Sequence, residues 1–361
     1  MRLKILLASV GVATLCATAT TQADDGFSLK GPPKVAFLFF ADKKDGGWTQ
    51  AFDEARVKME KELKLQIPYV ENVPEVAAKI MPAAEGFIGR GYNIILGTGF
   101  GYSDAFKDLS VKHPTLAFLN ASGTTNGPNL QSYYGRSYES QYLCGMAAAG
   151  VSKTGKLGFV AAHPIAPVNW VIDGYLLGAR QINPNATLTV VFTGQWNDPV
   201  KERAAASALI DQGADVIGQH VDTPTPQIVA QERGVYGTGH HRDLREFAPK
   251  ATICSSMWPW ANFLIPELKK VIAGGWKPNP YGAFPGIKDG GDDIACCGPA
   301  VPKPIVDKIM AERQAIINGK QIFTGPMSDT AGTERIAAGK TLDDGAMWKL
   351  DWYVPGVIAQ K

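Results

Sequence analysis

The sequence predicts an α/β protein of two doubly wound parallel-sheet lobes joined by a hinge. Three observations carry this reading. Short apolar runs alternate with segments of helical period along most of the chain. The alternation runs once through residues 35–119 and restarts after residue 138. The 361 residues are also many for a single hydrophobic core.

In the first run, residues 35–40 read as a strand. Residues 49–65 place Phe52, Ala55, Met59 and Leu63 on one helical face. Strands at 67–70, 94–96 and 115–119 then alternate with helices at 76–88 and 103–111. In the second run, helices at 138–151, 167–182, 199–212 and 225–233 alternate with strands at 156–161, 187–192, 216–220, 235–237 and 252–255. Pro167 suits a first helical turn, where its missing N–H costs nothing. Helices at 260–273 and 301–318 follow, with a Gly- and Pro-rich stretch between them. The expected division is residues 31–130 plus about 256–290 for lobe 1, and 131–255 plus about 291–361 for lobe 2.

Residues 1–23 read as a secretory signal peptide. Arg2 and Lys4 precede the apolar stretch 5–16, and Thr21-Gln22-Ala23 fits a small-x-small cleavage site. The mature chain is expected to start near Asp24, in the periplasm. Leu15 before Cys16 is too bulky for a lipobox, so a lipid anchor is not expected. Removing residues 1–23 lowers Lys+Arg from 36 to 34, against 34 Asp+Glu. A formally neutral chain argues against nucleic acid or an anionic membrane as partner. Cys144, Cys254, Cys296 and Cys297 remain. They allow three complete pairings, between which the sequence does not choose, and a vicinal 296–297 bond requires strain. No C-x-x-C pair suggests zinc.

In doubly wound sheets, ligands sit beyond the carboxyl ends of the strands. There the sequence places Asp45-Gly-Gly-Trp-Thr-Gln50, Gly97-Thr-Gly-Phe-Gly-Tyr102 and Asn120-Ala-Ser-Gly123. The second run contributes Gly194-Gln-Trp-Asn-Asp-Pro199, His220-Val-Asp-Thr223, Gly239-His-His241 and Trp258-Pro-Trp260. The candidate ligand contacts are Trp48, Thr49, Phe100, Gly101, Asn120, Trp196, His220, Asp222, Gly239 and Trp258 from these loops, together with Trp170. Two Trp rings facing across a cleft can sandwich a planar ring, each stack contributing roughly 1–3 kcal/mol. Polar groups would read its edges. A ring on a cleft loop supports little core, so removing either is expected to leave the fold intact.

These segments resemble the BMP or PnrA-like substrate-binding proteins of ABC importers. The resemblance rests on Lys34-Val-Ala-Phe-Leu-Phe-Phe40, Asp45–Gln50, Tyr138–Gly150, Gly194–Lys201, Leu209–Ile217 and Ile322–Pro326. It implies a type I periplasmic binding fold, no enzymatic activity or cofactor, a small-molecule ligand and a membrane permease as partner, with the protein a monomer. It also implies that Trp48 and Trp196 sandwich a purine, with Asn120 where an acidic residue often stands. The nucleoside-binding branch grips ribose with an Asp and a Lys, where this chain has Gly239 and Trp258. That departure favours a free base such as adenine, hypoxanthine or guanine over a nucleoside.

Two rivals stand beside this reading. One is a secreted metal-dependent hydrolase using His220, Asp222 and His240, with His241 and Asp243 nearby. A dinucleotide loop fails at Tyr102 and a nucleophile elbow at Ala105, each lacking the required Gly. The other is a ligand sensor that presents its closed state to a membrane receptor.

Overall fold

A computed structural model describes residues 26–360. The expected signal peptide and Cys16 lie outside the described residues. Among these, no helix is long and apolar enough to cross a membrane.

The first sheet contains β1 (Val35–Leu38), β2 (Tyr69–Val70), β3 (Ile94–Gly97), β4 (Ala117–Ala121) and β5 (Leu130–Tyr133). Its order is β2-β1-β3-β4-β5, and all its pairs are parallel. The connecting helices are α1 (Trp48–Leu63), α2 (Ala77–Ile88) and α3 (Ser103–Lys112). β1 and β3 are buried along their whole length. This explains their unbroken apolar runs, since a parallel sheet is covered on both faces.

The chain then passes to α4 (Ser137–Val151) and a second sheet. That sheet contains β6 (Lys156–Ala161), β7 (Thr187–Phe192), β8 (Val216–His220), β9 (Tyr236–Gly239) and β10 (Thr252–Met257). The helices between them are α5 (Ala166–Arg180), α6 (Pro199–Asp211) and α7 (Thr225–Glu232). After β10 come α8 (Trp260–Ala273), β11 (Asp293–Cys296) and α9 (Lys303–Ile317). A small ribbon of β12 (Met327–Ser328) and β13 (Glu334–Ile336), the short helix α10 (Asp344–Met347) and β14 (Val357–Gln360) complete the chain. The sheet order is β11-β10-β9-β8-β6-β7-β14, with β11 antiparallel.

α8 does not stay with the second sheet. It packs on α1, where Trp260 stacks on Phe52 at 4.7 Å. The chain thus moves between the sheets three times: after β5, after β10 and before β11. Within the second lobe α4 and α5 touch backbone to backbone. A Cβ on Gly145 would lie 1.9 Å from the Tyr175 carbonyl oxygen, and one on Gly178 would lie 1.8 Å from that of Tyr142. Glycine permits this approach because it has no Cβ.

Cys296 and Cys297 are bonded to each other, across a cis peptide. Cys144 and Cys254 are buried free thiols 3.4 Å apart.

Candidate functional site

A cavity lies where the carboxyl ends of the two sheets face each other, with about 470 Å³ of atom-free space, part of it open to solvent. Every strand of the first sheet delivers a group to it. Phe40 follows β1, Glu75 β2, Thr98 and Phe100 β3, Ser122 β4, and Tyr134 β5. The second sheet supplies Ile165 and Pro167 after β6, Trp196 after β7, His220 and Asp222 at and after β8, and His241 after β9.

The loop before α1 shows how sequence builds this wall. The Asp45 carboxylate accepts from the N–H groups of Gly47, Thr49 and Gln50 at 2.8–3.0 Å. It thereby satisfies donors that a helix start leaves unpaired. Gly46 and Gly47 press against the other lobe: a Cβ on Gly47 would lie 2.0 Å from the Asp222 carbonyl oxygen. Trp48 follows, 7% exposed, with its Nε1–H donating to the Thr98 carbonyl at 2.7 Å. Its ring meets Phe52, Trp260 and His241 edge-on at 5.1–5.6 Å. Arg242 joins the same face of the second lobe to Glu54 of α1, Nε to Oε1 at 3.0 Å.

Trp196 is half-buried and is held edge-on by His163 at 4.8 Å. Behind it stand three imidazoles, His220, His240 and His241, with ring centres 4.6 and 4.0 Å apart in succession. Burial drives all three away from the protonated form. His220 and His241 are pushed down to about 3, and His240 goes well below its usual value. Trp258 Nε1–H donates to His241 Nδ1 at 2.8 Å. That bond leaves the His241 proton on Nε2, which donates to Asp222 Oδ1 at 3.1 Å. Burial, and then the charge of Glu75, holds the Asp222 carboxyl well above the usual range. Glu75 is itself raised by burial, while its Oε1 accepts from the Gly101 N–H at 2.8 Å.

Of the predicted contacts, Trp48, Phe100, Trp196, His220 and Asp222 line the cavity together. The others do not. Thr49 is buried inside the first turn of α1. Gly101 serves through its N–H to Glu75. Asn120 lies beneath the 97–101 loop, with Nδ2 donating to the Gly99 carbonyl at 3.1 Å. Trp170 is buried in core between Tyr134 and Trp348. A Cβ on Gly239 would meet Ser255 and Leu244, so this position faces packing. Trp258 stacks on Trp260 at 4.8 Å and backs His241 rather than filling ligand space.

The premise that Trp48 supports little core does not hold, because its ring belongs to the main hydrophobic core. Sequence reasoning missed Glu75 and Tyr134. Glu75 follows a strand of only two residues, and Tyr134 follows a strand that was not predicted. The position after each strand was the signal available for both.

A metal centre is not built here. Among the described residues, no group of three or more His, Cys, Asp or Glu could hold a metal ion. The imidazole faces lie against one another, and both His241 nitrogens are engaged.

Comparison with known proteins agrees with this geometry. Residues 33–330 match the family described as ABC transporter substrate-binding protein PnrA-like. A purine-binding protein of Brucella abortus is 33% identical over 90% of this chain and 92% of its own. A protein of Haloferax volcanii, provisionally named as an ABC transporter glucose-binding protein, is 31% identical over 86% of this chain and 79% of its own. The crystal structure of an Aeropyrum pernix ABC transporter solute-binding protein aligns with TM-score 0.69 at 19% identity, covering 82% of this chain and 94% of that one. The fold is thus the type I periplasmic binding fold, and such proteins bind small molecules and deliver them to permease components. The chain belongs to the PnrA-like family of ABC transporter substrate-binding proteins.

Proposed function

We propose that the protein captures a purine between its lobes, a free base in preference to a nucleoside, and delivers it to an inner-membrane permease. The observation that carries this reading is the inventory of cavity groups still able to bond a ligand. The Thr98 hydroxyl already accepts from Phe40 N–H and donates to the Leu38 carbonyl. The Ser122 hydroxyl donates to the Ala121 carbonyl, and both His241 nitrogens are used. The Tyr134 hydroxyl meets His220 Nε2 at 3.4 Å. Glu75, His220 Nδ1 and Asp222 Oδ2 remain. Three such groups suit the edge of one base set against Trp48 and Trp196. They leave few partners for ribose hydroxyls, each of which costs about 1–3 kcal/mol if buried unpaired. The purine-binding relative supports the same ligand class.

Calorimetry with adenine against adenosine and hypoxanthine against inosine tests the preference. Bases should bind more tightly in both pairs. Tighter nucleosides in both would end the free-base reading and leave the importer reading intact. Glucose belongs in the same experiment, and glucose binding without any purine binding would end the purine reading. The compartment is proposed to be the periplasm, after cleavage before Asp24. N-terminal sequencing that finds a lipidated Cys16 would overturn this.

A further inference from the structure

We propose that the cavity selects purines that carry hydrogen-bond donors and no negative charge, with Glu75 as a specificity-determining residue on the first lobe opposite Asp222 on the second. This deepens the purine reading above and rests on it. The lining contains two carboxyl side chains, Glu75 and Asp222. Among the described residues no lysine or arginine lines it. Its two imidazoles, His220 and His241, are neutral, so nothing in the wall offsets a ligand anion.

The two acids are near enough that the Glu75 charge raises Asp222. Asp45, behind Gly47, is raised in turn, first by burial and then by Asp222. A ligand anion would sit against carboxyl groups whose burial already opposes ionisation, with no cation in the wall to offset it. A ligand N–H or amino group instead donates to a carboxyl oxygen. The backbone fixes Glu75 for this role, since the Gly101 N–H holds one of its oxygens. A Cβ on Gly101 would lie 2.8 Å from the Glu75 Cβ, so a side chain there would displace the acid.

Adenine and guanine supply donors without charge. Urate has nearly the same outline and is an anion at neutral pH. Calorimetry on the full mature chain at neutral pH should therefore find adenine and guanine binding at least about tenfold more tightly than urate. Glu75→Gln keeps an oxygen for the Gly101 N–H and removes the charge. It should narrow the adenine-to-urate ratio by at least about fivefold, chiefly through tighter urate. Thermal melts of the variant check that it folds. Glu75→Ala is a second variant, predicted to narrow the ratio likewise. Urate binding as tightly as adenine to the unaltered protein overturns this inference alone. So does a ratio unchanged in both variants. Failure of every purine to bind overturns the purine reading and this inference with it.

Discussion

The two tryptophans that face the cavity are mounted differently. Trp48 begins a helix, is 7% exposed, gives its indole N–H to Thr98 and is surrounded by Phe52, Trp258 and Trp260. Trp196 lies on a connecting loop, half-buried, with imidazoles as its aromatic neighbours. The first ring is core that also faces the cavity. The second lines the cavity from a loop and is only partly buried against the core. The same residue type at equivalent strand ends therefore combines stability and recognition in different proportions.

Removing each ring tests that difference. Trp48→Ala should cost about 3–5 kcal/mol of stability, the range for large aromatics removed from a core. Chemical denaturation measures it, and a loss below about 1 kcal/mol would erase the contrast between the walls. Next in size is a change that touches neither ring. Gly47→Ala drives a methyl into the Asp222 carbonyl and should oppose apposition of the lobes, at about 1–3 kcal/mol for overpacking. Ligand affinity should fall roughly tenfold to a hundredfold, and small-angle scattering with ligand should show a more extended particle than the unaltered protein. Unchanged affinity would mean that the 46–47 loop yields.

Trp196→Ala should leave the melting temperature nearly unchanged and weaken purine binding by about 1–3 kcal/mol. A large drop in melting temperature would place this ring with Trp48 instead.

The last effect is the smallest per pH unit, and it separates two kinds of buried group in the second lobe. His220 titrates near 3 instead of 6.5, because it is buried and faces His241. Its contribution to stability is full above about 6.5 and is lost as pH falls toward 3. Glu202 is raised to about 7 by burial, although Thr223 Oγ1 and the Asp198 N–H donate to it. Its contribution is full below 4.5 and is lost as pH rises through about 7. Each group accounts for at most about 1.4 kcal/mol per pH unit within its window. Melting curves between pH 4 and 7 should be flattened on the acid side by His220→Gln and steepened by Glu202→Gln. Parallel shifts without a change of slope would refute the assignment.

The first lobe and the middle of the second were legible because parallel strands buried on both faces read as short apolar runs. The strands 156–161, 187–192 and 216–220 emerge with the predicted bounds. β5 was missed because Gln131 and Ser132 interrupt its apolar run. Both are buried but satisfied, Gln131 by Glu267 and Ser132 by Asn126. β11 and β14 are short edge strands of mixed polarity, which periodicity does not distinguish from loop. Strand ends located the cavity correctly. They could not tell which aromatic points into it, since Trp258 carries the same local signal as Trp196. Its partner, Trp260, is fixed only by tertiary packing.

The three passages of the chain between the sheets restrict how the lobes can move. One covalent link would allow free swivelling, and two would still allow twisting about the line that joins them. Three side by side leave rocking about one axis as the low-cost motion. A closure of that kind would return Gly47 to the same carbonyl and Arg242 to the same carboxylate, and so would repeat one closed outline from cycle to cycle. A permease that recognises that outline would meet one shape, whichever ligand the cavity holds.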